Sequence, residues 1–180
     1  MNPKTRRRNQ PQYSLTLMLD FRAQADILEE RIVQQALSGS VWVLDAGNCF
    51  NPLRLTRRIR RQTIQIRTVL DHIQVARAFT CFQVVSLLEQ TQAPQGPVYI
   101  LRLLATFRDE MIPVYERLRL LEKIDRQIGR LQQTAPVVVA LRGSALQEDP
   151  LLGWVAQLQT RADEVIFPKL VEPPRLAALF

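Results

Sequence analysis

The chain has 180 residues, of which 47% are hydrophobic, and this length suits one domain with a substantial core. It contains no apolar run near the roughly 18 residues of a membrane span, and its first residues are basic and polar, so we expect a soluble, cytoplasmic protein that does not associate with membranes. Two cysteines, Cys49 and Cys81, and one histidine, His72, exclude a disulfide framework and a zinc motif, and we expect neither a metal nor a cofactor.

The net charge of +7 is unevenly distributed along the chain. Residues 1–80 hold 13 Lys and Arg against six Asp and Glu, whereas residues 81–180 hold 11 of each. Of the 24 basic residues 21 are arginine, whose planar guanidinium binds phosphate and carboxylate groups bidentately. This excess favours an anionic partner, either nucleic acid or an acidic protein surface.

The first part of the chain predicts an arm followed by a βαβ unit. Residues 1–12 lack a hydrophobic period and predict a flexible arm, either solvated or in contact with a polyanion, with four cations: Lys4, Arg6, Arg7 and Arg8. A strand over 14–20, a helix over 25–37 and a strand from Val41 follow. The polar loop 45–51 comes directly after this second strand, where open parallel sheets bind ligands.

The remaining segments continue the alternation. The patterns predict helices over 53–61, 68–72, 80–90, 114–133 and 151–159, and strands over 73–78, 98–104, 136–141 and 164–167. Thr80 is an expected N-cap. The longest helix has an expected core face of Leu118, Leu121, Ile124, Ile128 and Leu131. We therefore predict a three-layer α/β domain over 13–170, with a mostly parallel sheet and helices on both faces, and a Pro-rich end over 171–180.

The predicted helix at 53–61 has a strongly basic face. Its arginines recur at i, i+3, i+4 and i+7, which aligns Arg54, Arg57, Arg58 and Arg61. Like charges at this spacing destabilise a helix unless an anion relieves them. The pattern leaves two interpretations open, a solvated surface and a surface that meets phosphate or an acidic protein.

Three stretches around this helix resemble the RecA/RadA recombinases between their second and third core strands. They are LDAGNCFNP at 44–52, VLDHI at 69–73 and VARAFT at 75–80. The resemblance extends over about residues 13–170, and LLATF at 103–107 fits the same order. It implies an ATP-driven, DNA-binding fold of the P-loop class.

The nucleotide machinery of that family is absent or substituted. ATP binding there needs a Gly-rich loop that ends in Gly-Lys-Ser/Thr, but residues 19–25 contain neither glycine nor lysine. The catalytic glutamate after the second strand corresponds to Gly47, and the magnesium-binding aspartate that ends the fourth strand corresponds to Arg102. We expect a degenerate nucleotide site at Asp45, Gly47 and Arg102, without catalytic residues or enzymatic activity. Asp45 is expected to order its own loop, with Gly47 and Asn48 at positive φ.

Two functions remain open at this point. The first is a non-catalytic RecA-like protein that binds single- or double-stranded DNA through the Arg54–Arg61 face and the arm, in DNA repair or recombination. The second is a pseudo-ATPase that docks on a catalytic RecA-like partner or on itself, without intrinsic DNA binding. The loops that contact DNA in the family correspond to 106–113 and 142–150, and each carries one arginine and two acids, a weak phosphate track.

Overall fold

A computed structural model describes residues 12–19, 21–92, 94–142 and 151–167, with the side chains of 21–24 excepted. The arm cations Lys4, Arg6, Arg7 and Arg8, the stretch 143–150 and the Pro-rich end lie outside the described residues. The division of the chain at residues 12 and 170 therefore stays a prediction.

Strands and helices alternate through the described residues. The strands are β1 (Leu15–Met18), β2 (Val41–Asp45), β3 (Ile73–Arg77), β4 (Val98–Leu101), β5 (Val137–Ala140) and β6 (Glu164–Ile166). The helices are α1 (Phe21–Ser38), α2 (Pro52–Arg60), α3 (Ile66–Asp71), α4 (Cys81–Gln90), α5 (Val114–Leu131) and α6 (Leu152–Arg161), with a 3₁₀ helix at Ala105–Arg108. The predicted order of elements is confirmed.

The six strands form one sheet in the order β3-β2-β4-β5-β1-β6, and every neighbouring pair is parallel. The register places Asp45 of β2 beside Arg77 of β3 on one side and beside Leu101 of β4 on the other. The carboxyl ends of these three strands therefore meet at one edge, and the loops that follow them are neighbours.

Hydrophobic side chains pack on both faces of the sheet. Along β4, Val98 and Ile100 pack with α4, α5 and α6, whereas Tyr99 and Leu101 pack with α1, α2 and α3. Burial of one Leu or Ile side chain stabilises a fold by about 1.5–3 kcal/mol, so both helix layers contribute strongly. The predicted three-layer α/β architecture is confirmed.

Two local predictions have different outcomes. Thr80 is the N-cap of α4, and its hydroxyl accepts a hydrogen bond from the Gln83 backbone N–H at 3.2 Å, as predicted. The core face of α5 includes Leu120, which is 3% exposed, whereas Leu118 is 36% exposed. Leu120 stands one helical turn before Ile124 and therefore shares its buried face. The prediction for Leu118 was wrong.

Candidate anion-binding sites

The basic helix α2 is held by its cap and by two apolar side chains. Asn51 is the N-cap, its side-chain oxygen accepts a hydrogen bond from the Arg54 backbone N–H, and Pro52 occupies the first turn. Leu55 and Ile59 are buried in the layer with α1 and α3. Because these two residues define the inward face, the arginines of α2 lie along its flanks and its outer surface.

Two of the four predicted arginines contact acids of α1. The Nε atoms of Arg54 and Arg58 each lie 2.8 Å from a Glu29 carboxylate oxygen, and both guanidiniums also contact Asp26. Arg58 lies 3.6 Å from Glu30 as well. The hydrogen bond to Glu29 is the main cause that raises the pKa of Arg58 above its usual value. The protein itself thus supplies the anion that this spacing of arginines requires.

The other two predicted arginines, Arg57 and Arg61, are exposed and form no ion pair with the described residues. Arg60 and Arg67 are also exposed and form no ion pair with the described residues, and the sequence analysis predicted neither as a site residue. Arg60 falls outside the i, i+3, i+4, i+7 pattern, and Arg67 belongs to the next helix, which packs against α2. We call Arg57, Arg60, Arg61 and Arg67 the exposed arginine surface.

Little negative charge lies near this surface in sequence. Asp71 is the one acid between residues 52 and 72, against six arginines. Two large apolar side chains, Leu53 and Ile64, are exposed in the same segment. The acids of α1 that lie beside α2 contact Arg54 and Arg58, and none of the described acids forms an ion pair with the exposed arginine surface, so these four guanidiniums are available to phosphate.

At the sheet edge, Asp45 is fully buried and orders the loop after β2. Its carboxylate accepts hydrogen bonds from the backbone N–H groups of Cys49 at 2.9 Å and Phe50 at 3.0 Å. The Arg77 guanidinium lies 3.2 Å from the same carboxylate. The predicted loop-ordering role of Asp45 is confirmed, although its bonds reach four and five residues ahead.

Gly47 and Arg102, two positions of the expected degenerate nucleotide site, lie in contact. A Cβ atom built on Gly47 would be 2.4 Å from the Arg102 Cβ, which is closer than real Cβ atoms approach. Arg102 itself has a φ of 51°, a conformation that costs a residue other than glycine about 1–3 kcal/mol. Asn48 has the predicted positive φ, but Gly47 does not. The prediction for Gly47 was wrong, because this glycine provides space and not a left-handed turn.

Arg102 also lines a small cleft at the carboxyl ends of β4 and β5. The other lining residues are Leu104, Ala105, Arg108 and Arg142. Two arginines of the connection after β4 and one that follows β5 thus line one cleft, at the edge where the resemblance expects a magnesium site. In the described part of the chain, no group of three or more His, Cys, Asp or Glu side chains is arranged to hold a metal ion.

The two cysteines lie on opposite faces of the sheet. Cys49 packs against the cluster with α1, α2 and α3, and Cys81 belongs to the cluster with α4, α5 and α6. Both thiols are free. Burial, together with the nearby Asp45 carboxylate, raises the pKa of Cys49 to about 12, and burial also raises the pKa of Cys81. Neither thiol has the lowered pKa that a nucleophilic or redox role requires.

The loop after β4 mixes one exposed cation with local hydrogen bonds. Arg108 is exposed, and the Asp109 carboxylate accepts a hydrogen bond from the Met111 backbone N–H at 3.0 Å. Arg117 of α5 donates to the Phe107 carbonyl at 3.0 Å. Of the loop after β5, the structure describes Arg142 but not 143–150.

The described residues define an α/β protein with an all-parallel six-stranded sheet and two separate groups of arginines, one on α2 and α3 and one at the sheet edge. Comparison of the chain with protein-family models gives no match, and comparison with curated proteins gives no significant match. Membership of the RecA/RadA family stays a prediction from the resemblance in residues 44–80. Among the described helices, none is long and apolar enough to cross a membrane.

Proposed function

We propose that this chain is a non-catalytic RecA-like protein that binds DNA through its exposed arginine surface and acts in DNA repair or recombination. The observation that carries the proposal is the state of the four arginines on α2 and α3: they are exposed and form no ion pair with any described residue. Exposed guanidiniums without ion pairs, carried by two neighbouring helices, suit contact with phosphate groups.

The strand order supports the RecA-like part of the proposal. The resemblance assigns nucleotide chemistry to positions after the first, second and fourth strands, and DNA contact to loops after the fourth and fifth. The matching strands β2, β4, β5 and β1 are adjacent in the sheet and run in parallel. All of these positions therefore share one edge, as a single ligand site requires.

The ion pairs between acids of α1 and arginines of α2 determine which arginines are available to contact DNA. Phosphate would have to displace Asp26 and Glu29 from Arg54 and Arg58, and the Glu29 side chain is 15% exposed. Arg57, Arg60, Arg61 and Arg67 have no such competitor among the described residues. We therefore assign the phosphate contacts to these four residues and assign Arg54 and Arg58 to the packing of α2 on α1. The arm cations remain additional candidates by sequence.

Exposed apolar side chains favour a second candidate function, the protein-interaction module. Phe82 lies in the first turn of α4 and Tyr115 in the first turn of α5, and Phe79 and Met111 precede these helices by two and three residues. All four are exposed, Met111 by 89% and Tyr115 by 73%. Helices α4 and α5 pack on the face of the sheet opposite α2 and α3. A catalytic RecA-like partner or a second copy docked there would leave the exposed arginine surface open.

The test is fluorescence anisotropy of the full chain with single- and double-stranded DNA across a salt series. Each phosphate contact contributes about 0.9 to the slope of log affinity against log salt on duplex DNA. The variant Arg57→Gln/Arg61→Gln should therefore lower the slope by about 1.8. The matched control Arg119→Gln/Arg126→Gln removes the same charge from α5 on the opposite face and should leave the slope unchanged.

Three results are informative. A reduced slope in the first variant alone supports the assignment of the surface. An equal reduction of the slope in both variants would mean that the overall positive charge of the protein, and not this surface, attracts DNA. No binding of either DNA at about 50 mM salt would overturn the nucleic-acid proposal and leave the interaction module.

A further inference from the structure

Ile64 lies in the turn between α2 and α3, in the middle of the exposed arginine surface. Its side chain is 97% exposed, more than any other large hydrophobic side chain of the described residues. Arg60 and Arg61 precede it by four and three residues, and Arg67 follows it by three. Single exposed apolar residues are common on proteins, so the surroundings of Ile64 decide whether it has a role.

The turn that carries Ile64 is fixed by hydrogen bonds on both sides. The backbone N–H groups of Gln62 and Thr63 donate to the Ile59 carbonyl at 2.9 and 3.0 Å. The Gln65 backbone N–H donates to the Thr63 hydroxyl at 3.0 Å. The β-branched side chain of Ile64 itself has few rotamers. Ile64 is therefore a stiff apolar projection from an ordered turn.

The turn is also tied to the rest of the protein. The Gln62 side-chain amide donates to the Glu30 carboxylate of α1 at 2.6 Å, and its carbonyl accepts from the Gln34 amide at 3.0 Å. Ile59 before the turn and Val69 after it are buried in the layer with α1. Because the protein already holds Ile64 in place, a ligand does not have to order this segment when it binds.

The arginines beside Ile64 share a helix stripe with a second exposed apolar residue. Leu53, Arg57 and Arg61 follow each other at intervals of four residues, which places them on one side of α2 over about 12 Å. Leu53 is 72% exposed. A ligand that contacts these guanidiniums therefore also meets apolar side chains, Leu53 before them and Ile64 after them.

These surroundings favour duplex DNA over other anionic ligands. Proteins that bind single strands stack the bases on aromatic side chains, and residues 51–78 contain no Phe, Tyr or Trp. Membrane-surface helices insert an apolar face, but that face of α2, formed by Leu55 and Ile59, is buried in the protein. Proteins that kink a duplex insert one apolar side chain, such as isoleucine, between base steps while cations hold the backbone.

We propose that Ile64 is an apolar wedge that enters between neighbouring base pairs of duplex DNA while the exposed arginine surface binds the flanking phosphates. This inference rests on the proposed DNA binding and adds a preference to it. Separating two base pairs costs stacking energy, and the cost is lowest where a mismatch has already weakened the stack. The protein should therefore bind a mismatched duplex more tightly than a fully paired one.

The test uses the full chain and two short duplexes that carry 2-aminopurine at the centre, a base whose fluorescence rises when it is unstacked. One duplex is fully paired, and the other has a mismatch beside the 2-aminopurine. We expect the fluorescence of the fully paired duplex to rise when the protein saturates it. Anisotropy should give about tenfold tighter binding to the mismatched duplex.

The variant Ile64→Ala should lose both the fluorescence rise and the preference for the mismatch. It should keep the salt slope of the unmodified chain, because the four arginines are unchanged. The matched control Leu152→Ala removes another exposed apolar side chain, from α6 on the opposite face of the sheet, and should behave like the unmodified chain. Thermal unfolding of each variant verifies that it is folded.

The results separate this inference from the proposed function. If the unmodified chain binds both duplexes without a fluorescence rise, or if Ile64→Ala retains the rise and the preference, the wedge is overturned and DNA binding stands. If no DNA binds, both proposals fail. Sedimentation with vesicles of phosphatidylserine and phosphatidylcholine is then the second arm. Vesicle binding that is lost in Ile64→Ala would assign this surface to an anionic membrane instead.

Discussion

The Nε atom of Arg58 donates a hydrogen bond to a Glu29 carboxylate oxygen at 2.8 Å, across the contact between α2 and α1. The side chains are 22% and 15% exposed, so the pair is shielded from most of the solvent. Asp26 and Glu30 complete the ring of acids around Arg58. This arrangement turns half of the basic face into a structural contact.

Removal of Glu29 should therefore destabilise the fold. We expect Glu29→Gln to lower the free energy of unfolding by about 1–2 kcal/mol, because two arginines lose their shared carboxylate in a partly buried position. Urea unfolding followed by circular dichroism measures the change. Glu122→Gln, an exposed substitution on α5, should remain within about 0.5 kcal/mol of the unmodified chain. Equal stability of the two variants would show that the pair contributes nothing.

The contact between Gly47 and Arg102 predicts a substitution with a specific rescue. Gly47→Ala should destabilise the protein by about 1–3 kcal/mol, because its Cβ has no space beside Arg102. Arg102→Gly removes the opposing Cβ and also the strain of the positive φ, and alone it should be neutral or stabilising by up to about 1 kcal/mol. Chemical unfolding of both single variants and the double variant gives the coupling between the sites.

The double variant should recover most of the stability lost in Gly47→Ala. If the two substitutions are simply additive, the close approach of these residues is not the cause of the loss. The matched control is Gly39→Ala, since a Cβ at Gly39 meets nothing within 4 Å.

Cys49 should be an unreactive thiol with an unusual pH dependence. Burial and the Asp45 carboxylate raise its pKa to about 12 from 9.0, so at pH 8 its thiolate fraction is about a thousandfold lower than that of an ordinary thiol. In a Cys81→Ala background, labelling with a thiol reagent should be slow, and its rate should still rise above pH 10. A rate that levels off near pH 9 would contradict the raised pKa.

The raised pKa of Cys49 also determines the direction in which the free energy of unfolding changes with pH. Between pH 9 and 12 the folded state keeps a proton on Cys49 that the unfolded state loses, so unfolding becomes easier as pH rises. Below pH 9 both states are protonated and this contribution is fully present. A Cys49→Ala variant should therefore show a smaller decline of its unfolding free energy over the alkaline range. An equal decline in both proteins would assign the effect to other groups, such as Tyr99, whose pKa burial raises to about 12.

The order and type of the elements could be predicted because they depend on local patterns. The sheet was predicted to have helices on both faces, and Val43 and Leu44 of β2 pack into the two opposite clusters. The cap at Thr80 was predicted because a threonine hydroxyl at a helix start can accept a hydrogen bond from the backbone N–H three residues ahead, which is a local interaction. Dependence on local patterns also explains the error at Leu118. Leu118 and Leu120 are both apolar and lie near the start of α5, and the pattern alone does not decide which of them is buried.

The arginines show that the spacing of residues along the sequence does not predict which side chains surround them in the folded protein. The spacing of Arg54 to Arg61 correctly placed the arginines on a helix, but it did not indicate the acids beside them, which contact Arg54 and Arg58 from 25 to 32 residues away. Gly47 was expected to supply a turn, whereas its role depends on Arg102 of a different strand connection. Arg102 was a candidate from the resemblance, and the loops with Arg108 and Arg142 were predicted to follow the fourth and fifth strands, but only the structure shows that the three arginines line one cleft.

Sequence alone determined the alternating α/β order, the surplus of arginine in the first half and the absence of a Gly-Lys-Ser/Thr loop. These features follow from residue identity and from the helical and strand periods, which extend over a few neighbours. The tertiary structure decided which arginines are neutralised and which remain exposed, and which loops meet at the sheet edge. Coulomb energy and steric exclusion act over a few ångströms in space, and strand order and register bring residues from distant parts of the chain within that range.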